Sequence, residues 1–232
     1  MTGIDAVIVG AGAGTRLGLS IPKAFADLCG KPVIYYSLKT FAGHPSVDRT
    51  ILVIPSAMAD EAADVINGNG DFADKASAVI GGDERWESVR NGCAAAKGEW
   101  VLVHDAARPF VSGAVIDAVL EKRHDFDCVV TATPVADTIR TIAEGGRCGV
   151  TVDRSTLMRV GTPQLFRRER LMSAFDLIKD MPSAPTDEAG LFERLGIDAG
   201  YSWGDAMNFK ITEKADLETA RAVAATRAAA YA

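Results

Sequence analysis

Short apolar, β-branched runs alternate along this chain with longer segments of helical period, and no other feature narrows the possible folds as much. The runs are AVIVG (6–10), TILVIP (50–55), SAVIGG (77–82), WVLVHD (100–105) and DCVVTATP (127–134). Between them lie PVIYYSLKTFAG, SAMADEAADVING, RWESVRNGCAAAKG and SGAVIDAVLEKRH, each ending near glycine or another turn residue, as helices do. Continuous apolar runs suit strands buried on both faces, and strands alternating with helices build a mostly parallel sheet flanked by helices. The expected fold class is therefore α/β.

The rhythm breaks after Pro134. VADTIRTIAEGGRCGVTVDRS reads as two polar strands joined around Gly145-Gly146, with little apolar surface to bury alone, which predicts a projecting β-arm packed on a second subunit. The core pattern resumes at GTPQLF, passes through two helical stretches and a short strand at DAGYSW, and closes with an alanine-rich helix from about Glu213. No repeat, low-complexity linker or composition shift marks a second domain, and 232 residues with 48% hydrophobic content suffice for one sizeable core.

With 25 Lys plus Arg against 31 Asp plus Glu, the formal net charge of -6 argues against a broad basic surface, so no nucleic-acid partner is expected. A local basic pocket remains compatible with it. The N-terminal apolar run has no basic region before it and is far shorter than the roughly 20 residues of a membrane span, so neither signal peptide nor membrane association is expected. Cys29, Cys93, Cys128 and Cys148 form no CxxC pair and no metal-ligand spacing, which points to reduced thiols in a cytoplasmic protein.

Ligands of parallel sheets sit beyond the carboxyl ends of the strands, so GAGAG, GGDER and HDAARP should share one edge. GAGAGTRLGLSIPK (10–23) lacks the third glycine of a dinucleotide fingerprint, because Thr15 stands there, and it lacks the Gly-Lys-Ser/Thr of a P-loop. It offers instead the backbone of Gly10, Ala11, Gly12 and Gly14 with two cations, Arg16 and Lys23, a combination suited to a triphosphate. The alternative is a tight turn with solvated charges. In GGDERWESVRNG, Gly82, Asp83 and Ser88 can receive the flat face and polar edge of a base, or Asp83 can simply cap the following helix. Asp105, at the end of an apolar strand, can ligate Mg²⁺ that also holds phosphate oxygens, with Arg108 forking onto a phosphate; the alternative is an Asp–Arg pair closing the turn. His104 reads as a packed strand-end histidine. Arg154, Arg159, Thr162 and Lys210 could complete a basic cleft for two phosphorylated substrates.

These motifs in order, AGAGTRLG with IPK, GGDERWESVRNG, VHDAARPF, ATPVADTI, TVDRSTL, TPQLF, TDEAGLFERLG and NFKIT, closely resemble the 2-C-methyl-D-erythritol 4-phosphate cytidylyltransferases, from about residue 5 to 222. The resemblance implies a Rossmann-like nucleotidyltransferase fold in a single domain (1–232), with a β-arm at about 135–158 used to form a homodimer. It implies transfer of a cytidylyl group from CTP to 2-C-methyl-D-erythritol 4-phosphate with Mg²⁺, giving CDP-methylerythritol and pyrophosphate in non-mevalonate isoprenoid precursor biosynthesis. Arg16, Lys23 and Lys210 then act on the phosphates and Asp105 organises metal and substrate. Gly10, Ala11, Gly12, Gly14, Gly82, Asp83, Ser88 and Ala107 hold the nucleotide. Arg108, Thr138, Arg154 and Thr162 bind the acceptor, with Thr138 and Arg154 reaching the partner's site. Met207 stands where an acidic or otherwise polar residue is frequent, and Asp205 is the nearby carboxylate that can replace it. A ribitol 5-phosphate cytidylyltransferase and a non-catalytic nucleotide-binding protein of this fold are the rival readings, while Thr15 weighs against an oxidoreductase.

Overall fold

In the computed structural model, which describes residues 3–12, 18, 21–68, 72–180 and 185–229, the predicted rhythm becomes a seven-stranded sheet. In chain order the elements are β1 (Ile4–Val9), a two-residue hairpin of β2 (Asp27–Leu28) and β3 (Lys31–Pro32), α1 (Val33–Ala42), β4 (Arg49–Ile54), α2 (Ala59–Asn67) and β5 (Ala76–Ile80). There follow α3 (Arg85–Ala95), β6 (Trp100–Asp105), α4 (Gly113–Glu121), β7 (Cys128–Pro134), β8 (Ile139–Ala143), β9 (Arg147–Val152) and β10 (Met158–Arg167). The chain closes with α5 (Arg168–Phe175), α6 (Ala189–Arg194), β11 (Gly200–Trp203) and α7 (Lys214–Ala229). The main sheet runs β11-β7-β10-β6-β1-β4-β5. Every neighbouring pair is parallel except those made by β10, which is antiparallel to both β6 and β7.

The apolar runs do not alternate with polar residues because both faces of the sheet are covered, and successive side chains enter different cores. Ala6, Ile8, Leu52, Leu102 and Leu165 meet Ile34, Leu38 and Phe41 of α1 and Ile116 and Leu120 of α4 on one side. Val7, Ile51, Val53, Val101, Val103 and Phe166 meet Val89 of α3, Leu171 and Phe175 of α5, and Phe192 of α6 on the other. A smaller cluster seats α7, through Leu217, Ala220 and Ala224, on Leu28, Val33, Phe110 and Ile211. No described helix is long and apolar enough to cross a membrane.

After Pro134 the chain leaves the main sheet for a separate two-stranded hairpin, as the two polar strands around Gly145-Gly146 predict. β8 and β9 pair only with each other, around a turn in which Gly145 and Gly146 hold φ of 69° and 72°, a region that side chains rarely adopt. The hairpin proper spans Ile139–Val152, inside the predicted 135–158, and Met158 already belongs to the main sheet opposite Pro134. The four cysteines are unpaired, Cys93 and Cys128 buried and Cys29 and Cys148 exposed.

Leu165 and Phe166 give the two-core arrangement a direct test, since both are fully buried on adjacent residues of β10. Phe166→Ala leaves a cavity against Phe192, whose ring centroid lies 5.3 Å away. Chemical denaturation should show a loss of about 3–5 kcal/mol, with Leu165→Ala lowering stability independently and additively.

Candidate functional site

Strands β1, β5 and β6 end along one edge, and the loops that follow them line an open cleft. Its lining includes Gly10, Ala11 and Gly12 after β1, Lys23 and Ala24, Gly82, Asp83, Arg85 and Ser88, Asp105 and Ala107, and Lys210. The sequence motifs thus meet at one place, as the topology of a parallel sheet requires. Gly14 and Arg16 lie outside the described residues.

Local chemistry explains how each loop is fixed. Gly10 N–H donates to Val53 O at 2.8 Å, continuing the ladder past the end of β1 and turning the glycine loop over the sheet edge. Lys23 opens a short 3₁₀ turn directly after Pro22, whose buried Ala24 and Phe25 anchor it. At the end of β5, a Cβ on Gly81 would lie 2.5 Å from Ala11 Cβ and 2.6 Å from Ser88 Oγ, so only glycine lets the two loops close on each other. Ser88 is buried, and its hydroxyl accepts from Gly82 N–H at 3.1 Å. Asp83 does not cap α3. Glu84 occupies that position, with its N–H donating to Glu87 Oε2 at 2.9 Å, and Asp83 stays exposed on the cleft.

Asp105 is the electrostatic centre. Its Oδ2 accepts from Lys210 Nζ at 2.7 Å and its Oδ1 from Arg85 Nη2 at 3.2 Å, while Arg108 Nε stands 3.9 Å away. Burial pushes this carboxyl up, but the charges of Arg85, Lys210 and Arg108 together outweigh it and hold Asp105 well below the usual carboxylate range. Asp105 and Arg108 therefore do not form the close pair that could have shut the turn; the backbone does that, through Arg108 N–H to Asp105 O at 3.0 Å. Lys210 reaches Asp105 because its segment runs beside the HDAAR loop: Ile211 N–H donates to Ala107 O at 2.8 Å, and Arg108 Nη1 donates to Asn208 O at 2.9 Å.

A second pocket adjoins the first and shares Lys210. It is lined by Arg108, Arg159, Asp205 and Asn208, with Thr131 and Thr133 of β7. Arg159 lies on β10 rather than in the arm. Burial depresses the Arg108 guanidinium, with Arg159 and Arg85 adding to it and the Asp105 carboxylate pulling the other way. Thr162 is buried behind the site: its hydroxyl accepts from Asp105 N–H at 3.0 Å and donates to His104 Nδ1 at 3.1 Å, so it supports Asp105 from beneath. Thr138 and Arg154 are exposed on the arm and line neither pocket; Arg154 Nη1 donates to Ala136 O. Sequence reasoning passed over Arg85, although GGDER carries it, and Glu188, whose carboxylate accepts from Arg85 Nη1 at 2.7 and 2.8 Å.

The donor set bears on magnesium. Among the described residues no three of His, Cys, Asp or Glu gather; Asp205 lines the second pocket, and at the first, where Asp83 and Glu84 sit on the lining with the base-side loop, Asp105 is the carboxylate beside Lys210. One carboxylate already shared with cations fits an ion carried chiefly by triphosphate oxygens and water, to which the protein lends a single ligand.

His104 links this chemistry to stability. Its Nε2 faces Arg108 O at 3.1 Å and so carries the ring proton, leaving Nδ1 as acceptor for Thr162. Burial lowers it to about 4. An unfolded histidine takes a proton near pH 6.5, about 2.5 units higher, so between those values the unfolded chain binds the extra proton and stability falls as pH falls, by up to about 3 kcal/mol. Denaturation midpoints at several pH values should show that loss. His104→Gln should flatten it, and equal slopes in the two proteins would refute the assignment.

Comparison with known proteins agrees with this geometry. The sequence model of the family described as 2-C-methyl-D-erythritol 4-phosphate cytidylyltransferase matches residues 4–226. A cytidylyltransferase of that description from Deinococcus radiodurans is 41% identical over 218 residues, covering 94% of this chain and 88% of that protein. The solved structure of 4-diphosphocytidyl-2C-methyl-D-erythritol synthase from Anaerococcus prevotii superposes with a TM-score of 0.84 at 26% identity, covering 96% of this chain and 98% of that one. The Thermus thermophilus cytidylyltransferase structure superposes at 0.79 and 30% identity, covering 96% and 98%. A mostly parallel sheet with its glycine loop, GGDER loop and HDAAR loop at one edge, together with a match across nearly its whole length, places this chain in the 2-C-methyl-D-erythritol 4-phosphate cytidylyltransferase family.

Proposed function

We propose that the chain transfers the cytidylyl group of CTP to 2-C-methyl-D-erythritol 4-phosphate, releasing pyrophosphate, as an enzyme of isoprenoid precursor biosynthesis. One observation carries the reading: Lys210 lines both pockets, so a single cation stands between a nucleotide cleft and a second cationic pocket. Two phosphorylated substrates held side by side need that arrangement, because their mutual repulsion opposes the reaction.

The first cleft takes CTP. Gly82, Asp83 and Ser88 present backbone and side-chain polar groups to cytosine, the backbone at Gly10, Ala11 and Gly12 approaches the phosphates, and Ala107 borders the sugar side. Lys23, with Arg16, draws charge from the triphosphate. Arg108 and Lys210 hold the acceptor phosphate, whose oxygen attacks the α-phosphorus; the new P–O bond forms as the bond to the β-phosphate oxygen breaks, and pyrophosphate leaves. The attacking phosphate is already anionic, so no side chain has to remove a proton or act as a nucleophile. Asp105 is the residue that would hold magnesium, and the ion would supply further neutralisation of the phosphate charge.

The arm supports a homodimer. A lone two-stranded hairpin is barely stable in water, yet β8 and β9 leave Ile142 95% and Val150 72% exposed. A second copy of the chain would cover these residues, and the same docking would carry Thr138 and Arg154 to the partner's acceptor pocket. The unpaired cysteines suit a reducing compartment, the cytoplasm.

Pyrophosphate release should require CTP, Mg²⁺ and 2-C-methyl-D-erythritol 4-phosphate together. Release with ribitol 5-phosphate alone would keep the mechanism and overturn the substrate, and release with neither would leave a nucleotide-binding role. Lys23→Ala should lower kcat by about a hundredfold or more with little change in Tm; an unchanged rate or an unfolded variant removes Lys23 from the chemistry. Ile142→Asp should shift sedimentation from dimer to monomer and abolish turnover without unfolding the body of the protein, whereas an intact dimer would sink the arm's role.

A further inference from the structure

Two motif residues remain outside the mechanism above: Arg85 in GGDER and Glu188 in TDEAG. They are 103 residues apart in sequence and meet in a bifurcated contact, with Arg85 Nη1 2.7 Å from Glu188 Oε1 and 2.8 Å from Oε2. Glu188 is 2% exposed and lines neither pocket. Its neighbour fixes where it points: Asp187 accepts from Gln164 Nε2 of β10 at 2.9 Å and from Gly190 N–H at 3.2 Å, locking the turn before α6 onto the sheet. Arg85 is thereby stretched between two carboxylates, held closer at Glu188 than at Asp105, where the distance is 3.2 Å.

We propose that Glu188 is a positioning residue for cytidylyl transfer, drawing Arg85 back so that Asp105 keeps Lys210 as its close partner and an oxygen edge open to the reacting substrates. Burial pushes the Glu188 carboxyl up and the Arg85 charge pulls it back, so the pair is mutually dependent. A buried ion pair is poor value as a source of stability, since a well-packed apolar pair serves as well. Its geometry here does something an apolar pair cannot, which is to set how far a guanidinium advances into a site. Without the Glu188 charge, Asp105 is the nearest carboxylate left to Arg85. The guanidinium should then close on it through two N–H groups, in the forked geometry arginine favours, and displace Lys210. The inference rests on the transfer reading for its kinetic part and on geometry alone for the rest.

Two readouts keep these parts separate. In the first, substrate-free enzyme is treated with a trace of acetic anhydride, and acetylation of Lys210 relative to Lys31 is read by mass spectrometry. Glu188→Gln should raise Lys210 labelling about threefold or more, because its carboxylate partner has been taken. In the second, kcat at saturating substrates should fall about tenfold or more in Glu188→Gln, as expected for a misplaced reacting geometry, while the Kd for CTP stays within about threefold of wild type. Arg85→Lys, which keeps every charge and leaves no carboxylate without a cation, cannot bridge both carboxylates and should show the same split between kcat and CTP affinity. Unchanged Lys210 labelling and unchanged kcat in the variants overturn the proposal. So does CTP affinity that falls in step with kcat, which marks simple structural damage. Wild-type enzyme silent toward both polyol phosphates overturns the transfer reading instead, and the labelling result then decides the role of Glu188.

Discussion

Asp105 is a carboxylate buried at the end of a central strand, and the charges of Arg85, Lys210 and Arg108 favour its ionised form, Arg85 donating to one of its oxygens and Lys210 to the other. Much of the architecture beyond the sheet serves that contact. The segment carrying Lys210 is tied to the HDAAR loop by a backbone hydrogen bond from Ile211 and by the Arg108 side chain, α3 begins at Arg85, and Thr162, itself held by His104, accepts from the Asp105 backbone. A site assembled this way is prepared before any ligand arrives, so binding two polyanions need not also organise the protein.

The same logic separates two kinds of cation. Arg85 is spent on carboxylates and defines geometry; Lys210 joins Asp105 to the second pocket, where Arg108 and Arg159 share the lining and offer positive charge to an anion. An acidic protein can therefore hold a phosphate-binding centre, because what matters is the local balance of charge and not the sum over 232 residues.

How much of this was legible follows from distance along the chain. The parallel strands were readable because burial on both faces leaves continuous apolar runs, and the edge at which GAGAG, GGDER and HDAARP meet follows from their connection by helices. The arm announced itself by too little apolar surface around a double-glycine turn. The reversal of β10 was not readable, since an antiparallel strand buried in such a sheet has the same composition as its parallel neighbours. Nor was the partnership of Arg85 with Glu188, which joins residues with no local pattern in common. Thr162 was visible as a polar group in an apolar strand, but its place behind Asp105 depends on the packing of β10 against β6. The capping of α3 by Glu84 in place of Asp83 is a shift of one residue, within the ordinary uncertainty of helix ends.

The central claim is direct transfer in a site where charge neutralisation and alignment do the work of a nucleophile. The stereochemical course at phosphorus tests it most directly. A single diastereomer of CTP carrying sulfur on its α-phosphorus should give product with inverted configuration, as one in-line displacement requires. Retention would mean two displacements through a cytidylyl-protein intermediate, and that result would contradict the account.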